Sequence, residues 1–199
     1  MPRRSAVEAE QTRRIILAEA VQQMSVHGAT GTSLATIADS LSMSKAGVVG
    51  PFHSREALLL AAFDLAVATL RERVVEPALG LHLRPGTERL RVLIDNWVDY
   101  LIDSPFQGGC LLTSASFELD GIPGTLRDHM VEAGRQWKEF LHAQLSEAAA
   151  AGHALPQDAA DAAGTLVALG MALNQSVQLR DLDTQARMVR LMHEVAGLS

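Results

Sequence analysis

Residues 33–56, SLATIADSLSMSKAGVVGPFHSRE, constrain this chain more than any other stretch. A helical pattern over 34–41, with Leu34, Ile37, Ala38 and Leu41 on one face, runs into the polar turn Ser42–Met43. A second, very short helix then opens at Ser44, whose hydroxyl is suited to accept from backbone N–H groups two or three residues on. Pro51 stops that helix, and Ser54–Arg55–Glu56 begins another. Two short helices across a tight turn are the layout of a helix-turn-helix, whose second helix is shaped to enter the DNA major groove. Lys45 stands within reach of a phosphate, and Gly47 leaves the helix surface bare for close approach of bases. Val48 and Phe52 are the expected anchors on the core.

Helical periodicity continues on both sides. A helix is predicted over 7–27, with Ile16, Leu17, Ala20, Val21 and Met24 inward and Gly28 stopping it. Residues 1–6 read as a basic arm. A long helix over 55–76, carrying Leu58, Leu59, Ala62, Leu65, Val67 and Leu70, is expected to end at Pro77. Further helices are predicted over 87–103, 108–119, 125–151, 157–180 and 183–195. The first of these has Leu90, Leu93, Ile94, Trp97 and Leu101 on one stripe. The fold class is therefore all-α: a three-helix DNA-binding head over 1–54 and a larger helical body over 55–199, joined by the long fourth helix.

Charge supports an end-on arrangement. The formal net charge is −6, which excludes a bulk binder of polyanions. Residues 1–55 nevertheless hold six basic and four acidic side chains, a net +2, while the rest of the chain carries −8. A mildly basic head on an acidic body suits docking on DNA by one end. With Cys110 the only cysteine, no intrachain disulfide forms. No signal-peptide pattern and no apolar run long enough to span a bilayer is present, so a soluble, cytoplasmic chain with no membrane partner is expected.

The stretch RRIILAEAVQQMSVHGATGTSLATIADSLSMSKAGVVGPFHSREALL resembles the tetracycline-repressor-like (TetR/AcrR) regulators. The matching positions are Ile16 and Ala20, the helix-ending Gly28, the pair Thr32–Ser33, Ile37–Ala38, Ser44, Phe52 and the basic–acidic pair Arg55–Glu56. The segment GGCLL, 108–112, is similar to one branch of that family. Departures fall in and beside the recognition helix: Ser42 in place of the turn glycine, Val49 in place of an aromatic, then Gly50 and Pro51. They shorten the helix and remove a usual phosphate contact. The resemblance implies a body that binds a small molecule and relays binding to the spacing of two DNA-binding heads.

Residue chemistry supplies the candidates. DNA contact is expected from Thr32, Ser33, Ser44, Lys45, Ala46, Gly47, Val48, His53 and Arg55, with the Thr and Ser residues also able to act only as caps. Trp97, Phe106, Cys110, Ser114, Phe117, Met130, Trp137, Met171 and Asn174 are candidate walls and polar points of a site for a small, largely apolar effector. Met and aromatic residues at helical spacing usually are core, and each of these is readable so. A homodimer is expected through Ala163, Gly164, Val167, Met171, Met188, Leu191 and Val195, and its two-fold symmetry would match a palindromic operator.

Other chemistries find little support. Ser42-Met43-Ser44-Lys45 fits S-x-x-K but lacks the companion motifs of serine acyl enzymes. The histidines show no i,i+4 pairing, so neither a metal nor a cofactor is expected and no catalytic set is visible. The reading is a ligand-responsive repressor rather than an enzyme. An activator or co-effector-dependent regulator, and a helical interaction module with weakened DNA binding, are the alternatives.

Overall fold

A computed structural model of the chain describes residues 6–80 and 83–198, and all regular structure among them is helical. The predicted arm lies outside the described residues except for Ala6, which begins α1. The helices are α1 Ala6–Gly31, α2 Leu34–Ser40, α3 Lys45–Val49, α4 Arg55–Leu70, α5 Glu76–Gly80, α6 Thr87–Ile102, α7 Leu111–Glu118, α8 Thr125–Ala150, α9 Ala159–Gln178 and α10 Leu182–Val195. None is long and apolar enough to cross a membrane.

Contacts gather the chain into two compact units. The first holds residues up to Val67 together with Phe106–Met130, and the second holds Ala68–Pro105 and residues 131–199. Most of α4 and all of α7 fall in the first unit.

In the first unit, α1 buries the predicted Ile16, Leu17, Ala20, Val21 and Met24. Gly28 breaks it as expected: at φ 73 and ψ 170 it leaves the helical region, and a last turn re-forms to Gly31. Helix α7 lies against α1. The predicted start of α7 at the glycine pair is corrected by the reason those glycines are there. A Cβ on Gly108 would sit 1.7 Å from the Ser25 carbonyl oxygen, and the Gly108 N–H donates to Ser25 Oγ at 3.1 Å. Gly109 is left-handed at φ 82. The pair lets a loop touch α1, and the helix begins only at Leu111.

In the second unit, the α6 stripe Leu90, Leu93, Ile94, Trp97 and Leu101 is buried as its spacing predicts. Helix α9 packs on α6 and on α10. Side-chain caps start the last two helices: Asp158 accepts from Ala160 and Asp161, and Asp181 accepts from Thr184. Pro77 does not end the helical path. After α4 the backbone widens into a π-helical segment, Arg71–Val75, in which the Glu76 N–H reaches the Arg71 carbonyl. Helix α5 starts afresh at Glu76, which places Pro77 in a first turn, where a missing N–H is tolerated.

Candidate DNA-binding site

The helix-turn-helix is fixed by local hydrogen bonds that its sequence prescribes. Ser33 caps α2 in a reciprocal box: its Oγ accepts from Thr36 N at 3.1 Å, and its own N–H donates to Thr36 Oγ1 at 3.2 Å. Ser44 Oγ accepts from Gly47 N at 3.0 Å and caps α3, which is only five residues long. Between them Ser42 takes a left-handed conformation, φ 52, at the position where a glycine would be strain-free. The turn closes with Met43 N–H on the Ala38 carbonyl at 2.8 Å.

Burial sorts the predicted contact residues. Ser44, Lys45 and Ala46 are exposed, Gly47 and Ser33 are half-buried, and His53 is exposed in a left-handed turn, φ 68, ahead of α4. Val48 is 0% exposed, so it holds α3 to the core and drops out of the groove-facing set. Thr32 is 1% exposed and its hydroxyl is taken by the Gly28 carbonyl at 2.7 Å. It is a turn residue rather than a phosphate contact. Phe52 is buried as expected, and the Arg13 guanidinium stacks over its ring at 5.0 Å.

Arg55 also has an internal role. Its Nη2 donates to the carbonyls of Ala29 at 2.7 Å and Thr32 at 2.6 Å, and its Nε donates to Thr32 at 3.1 Å. These carbonyls end the last turn of α1, so Arg55 ties the start of α4 to the 28–32 corner. On the other side of the corner stands Glu118, at the end of α7, which takes its donors. Its Oε2 accepts from Ala29 N at 2.8 Å, and its Oε1 accepts from Thr30 N at 2.7 Å and Thr30 Oγ1 at 2.6 Å. The carboxylate fills the space a side chain on Gly28 would need, for a Cβ there would lie 2.6 Å from it. Sequence reasoning missed Glu118 because its partners lie 88 and 89 residues away, and no spacing rule reaches that far.

Comparison with known proteins decides what this head belongs to. Residues 16–62 match the family described as bacterial regulatory proteins, tetR family, and residues 86–192 match the tetracyclin repressor-like, C-terminal domain. The chain belongs to the TetR family. It is a DNA-binding transcriptional regulator with an N-terminal helix-turn-helix and a helical C-terminal domain. A TetR transcriptional regulator from Chloroflexus aurantiacus is 26% identical over 96% of this chain and 94% of its own, with a TM-score of 0.80. AibR, solved with isovaleryl coenzyme A and operator DNA, is 20% identical over 92% and 99%, with a TM-score of 0.73. A regulator from Saccharomonospora viridis in complex with choline is 21% identical over 93% and 95%, with a TM-score of 0.74. No curated protein matches the chain.

The candidate effector residues of this TetR-family chain fall in both units. Phe106, Cys110, Ser114, Phe117 and Met130 belong to the first, and Trp97, Trp137, Met171 and Asn174 to the second. Phe117 is 62% exposed and is corrected from pocket wall to surface residue. Ser114 spends its hydroxyl on the carbonyls of Cys110 and Leu111 in its own helix. In the second unit, Trp97 and Trp137 meet edge to face at 5.0 Å, and Trp137 stacks on Phe140 at 5.7 Å. Gly170 makes room for this cluster, since a Cβ there would lie 2.6 Å from the Trp97 ring. Asn174, buried, stands one turn further along α9 on the same face. A separate cleft of about 480 Å³ in this unit is lined by Arg73, Asn96, Asp99, Tyr100, Ile102 and Asp103, none of them singled out by the sequence.

The predicted dimer residues also divide. Gly164, Val167, Met171, Met188, Leu191 and Val195 are half-buried in the single chain. Ala163 is 0% exposed and packs within its own unit, so it is corrected from interface to core.

Proposed function

We propose that the chain is a homodimeric repressor that leaves a palindromic operator when a small, largely apolar molecule binds its body. The observation that carries this reading is the exposed face Ser44–Lys45–Ala46 with Gly47, presented by a capped α3 that Val48 holds to the core. Ser33 and His53 flank that face. The AibR complex with both an acyl coenzyme A and operator DNA supports the pairing of the two activities, and the choline complex supports effector binding.

In this reading the head spans 1–54 and the body 55–199. The effector meets the aromatic cluster of Trp97 and Trp137, with Asn174 as its polar point and Met171 beside it. Phe106, Cys110, Ser114 and Met130 are the further candidates. Gly164, Val167 and Met171 of α9, with Met188, Leu191 and Val195 of α10, meet the second copy. The effector shifts the equilibrium between two dimer shapes only to the extent that it binds them unequally.

The test is selection of bound duplexes from fragmented genomic DNA by the purified protein across a salt series. A palindrome that resists competition by non-specific DNA is the expected product. Lys45→Ala should then weaken binding to all sequences alike and lower the salt slope of the dimer by about 2, the signature of one lost phosphate contact in each of the two heads. An unchanged slope would remove Lys45 from the interface.

A further inference from the structure

We infer that Glu118 is a positioning residue for DNA binding: its carboxylate sets the 28–32 corner through which α1 delivers the helix-turn-helix. The inference rests on the DNA-binding reading above. The corner is gripped from both sides, by a carboxyl group and by a guanidinium group. Glu118 takes the amides of Ala29 and Thr30 and the Thr30 hydroxyl, at 2.6 to 2.8 Å, while Arg55 takes the carbonyls of Ala29 and Thr32. Successive N–H groups converging on one anion form a nest that favours negative charge.

Three features argue that the arrangement is set by the carboxylate rather than accommodating it. Gly28, at φ 73 and ψ 170, takes a backbone conformation that favours glycine, with no room for a Cβ beside Glu118. Gly108 and Gly109 bring the loop before α7 onto α1, and Gln107 N–H reaches Gln22 Oε1 at 3.1 Å. Helix α7 is thus held to α1 at both its ends. The corner also leads directly into Ser33, the cap of the first helix of the DNA-reading pair. A change in the corner is therefore a change in where α2 and α3 begin.

Glu118 itself donates nothing to DNA, so its effect must differ from that of a phosphate contact. Glu118→Ala should weaken binding to the selected duplex about tenfold with the salt slope unchanged, and Glu118→Gln, which keeps one acceptor oxygen, should restore part of the loss. Amide exchange at Ala29 and Thr30 should accelerate in the alanine variant. If Glu118→Ala fails to fold, Thr30→Val removes the hydroxyl contact alone and should weaken binding two- to threefold, again at constant slope. Wild-type affinity in a folded Glu118→Ala variant, or a loss accompanied by a lower salt slope, would overturn the inference. Failure of the wild-type protein to bind any duplex would instead overturn the DNA-binding reading itself.

Discussion

Replacing Gly28 with alanine separates two costs that a single substitution usually confounds. The first is conformational: at φ 73 and ψ 170 Gly28 lies in a backbone region essentially reserved for glycine, so an alanine there is strained by about 2 kcal/mol. The second is local: the new Cβ would stand 2.6 Å from the Glu118 carboxylate, which must swing out and release Ala29 N, Thr30 N and Thr30 Oγ1. Hydrogen bonds to a charged group contribute about 1.5–3 kcal/mol each, but this carboxylate is half-exposed and regains water, so about 2 kcal/mol for the set is reasonable. Gly28→Ala should therefore destabilise the first unit by about 4 kcal/mol. Gly152→Ala, left-handed at φ 95 with nothing within 4 Å of its Cβ, should cost the second unit only about 1 kcal/mol. Urea unfolding by circular dichroism reads both units, and tryptophan fluorescence reads the second alone, because Trp97 and Trp137 both lie there. In a Glu118→Ala background the cost of Gly28→Ala should fall to about 2 kcal/mol, a coupling of about 2 kcal/mol. Equal costs with and without Glu118 would refute the proposed origin of the penalty.

Other substitutions probe the turn, the aromatic cluster and a helix cap. Ser42→Gly relieves the left-handed φ 52 and should stabilise the first unit by about 1 kcal/mol in the same urea assay. Gly170→Ala overpacks the Trp97 ring, so it should cost about 1–3 kcal/mol and shift the tryptophan emission. Asp181 is held below the usual aspartate range by Thr184, first through its hydroxyl and then through its backbone N–H. Its contribution is present above the unfolded aspartate value and is lost as pH falls through the folded one. Asp181→Ala should flatten that acid limb of the stability profile while leaving neutral-pH unfolding cooperative.

How much of the molecule is legible in its sequence depends on how far each interaction reaches along the chain. Ser33 and Ser44 bond amides three residues away, and the α6 stripe repeats every three or four residues, so both are readable. Arg55 reads as a free cation at a helix start, yet its acceptors lie 23 and 26 residues earlier. Phe117 has the residue type of a pocket wall but sits on a helix whose inner face is taken by Leu111 and Ala115. Pro77 reads as a stop because the periodicity contains no sign of the wider turn just before it. Glu118 is invisible for the same reason as Arg55, with partners 88 and 89 residues away.

The π-helical segment Arg71–Val75 has a meaning in chain length as well as in geometry. Such a turn accommodates one residue more than an α-helical path would, so it has the form of a single-residue insertion retained in a helix. Deleting one residue there would restore a continuous α-helix and rotate α5 by about 100° about the helix axis. Ala78, now 0% exposed, would leave the core, and Asn96 Nδ2 would lose the Val74 carbonyl it reaches at 3.3 Å. Relatives one residue shorter at this place should therefore carry a compensating change opposite Asn96, and length variation here should not be neutral as it is in a loop.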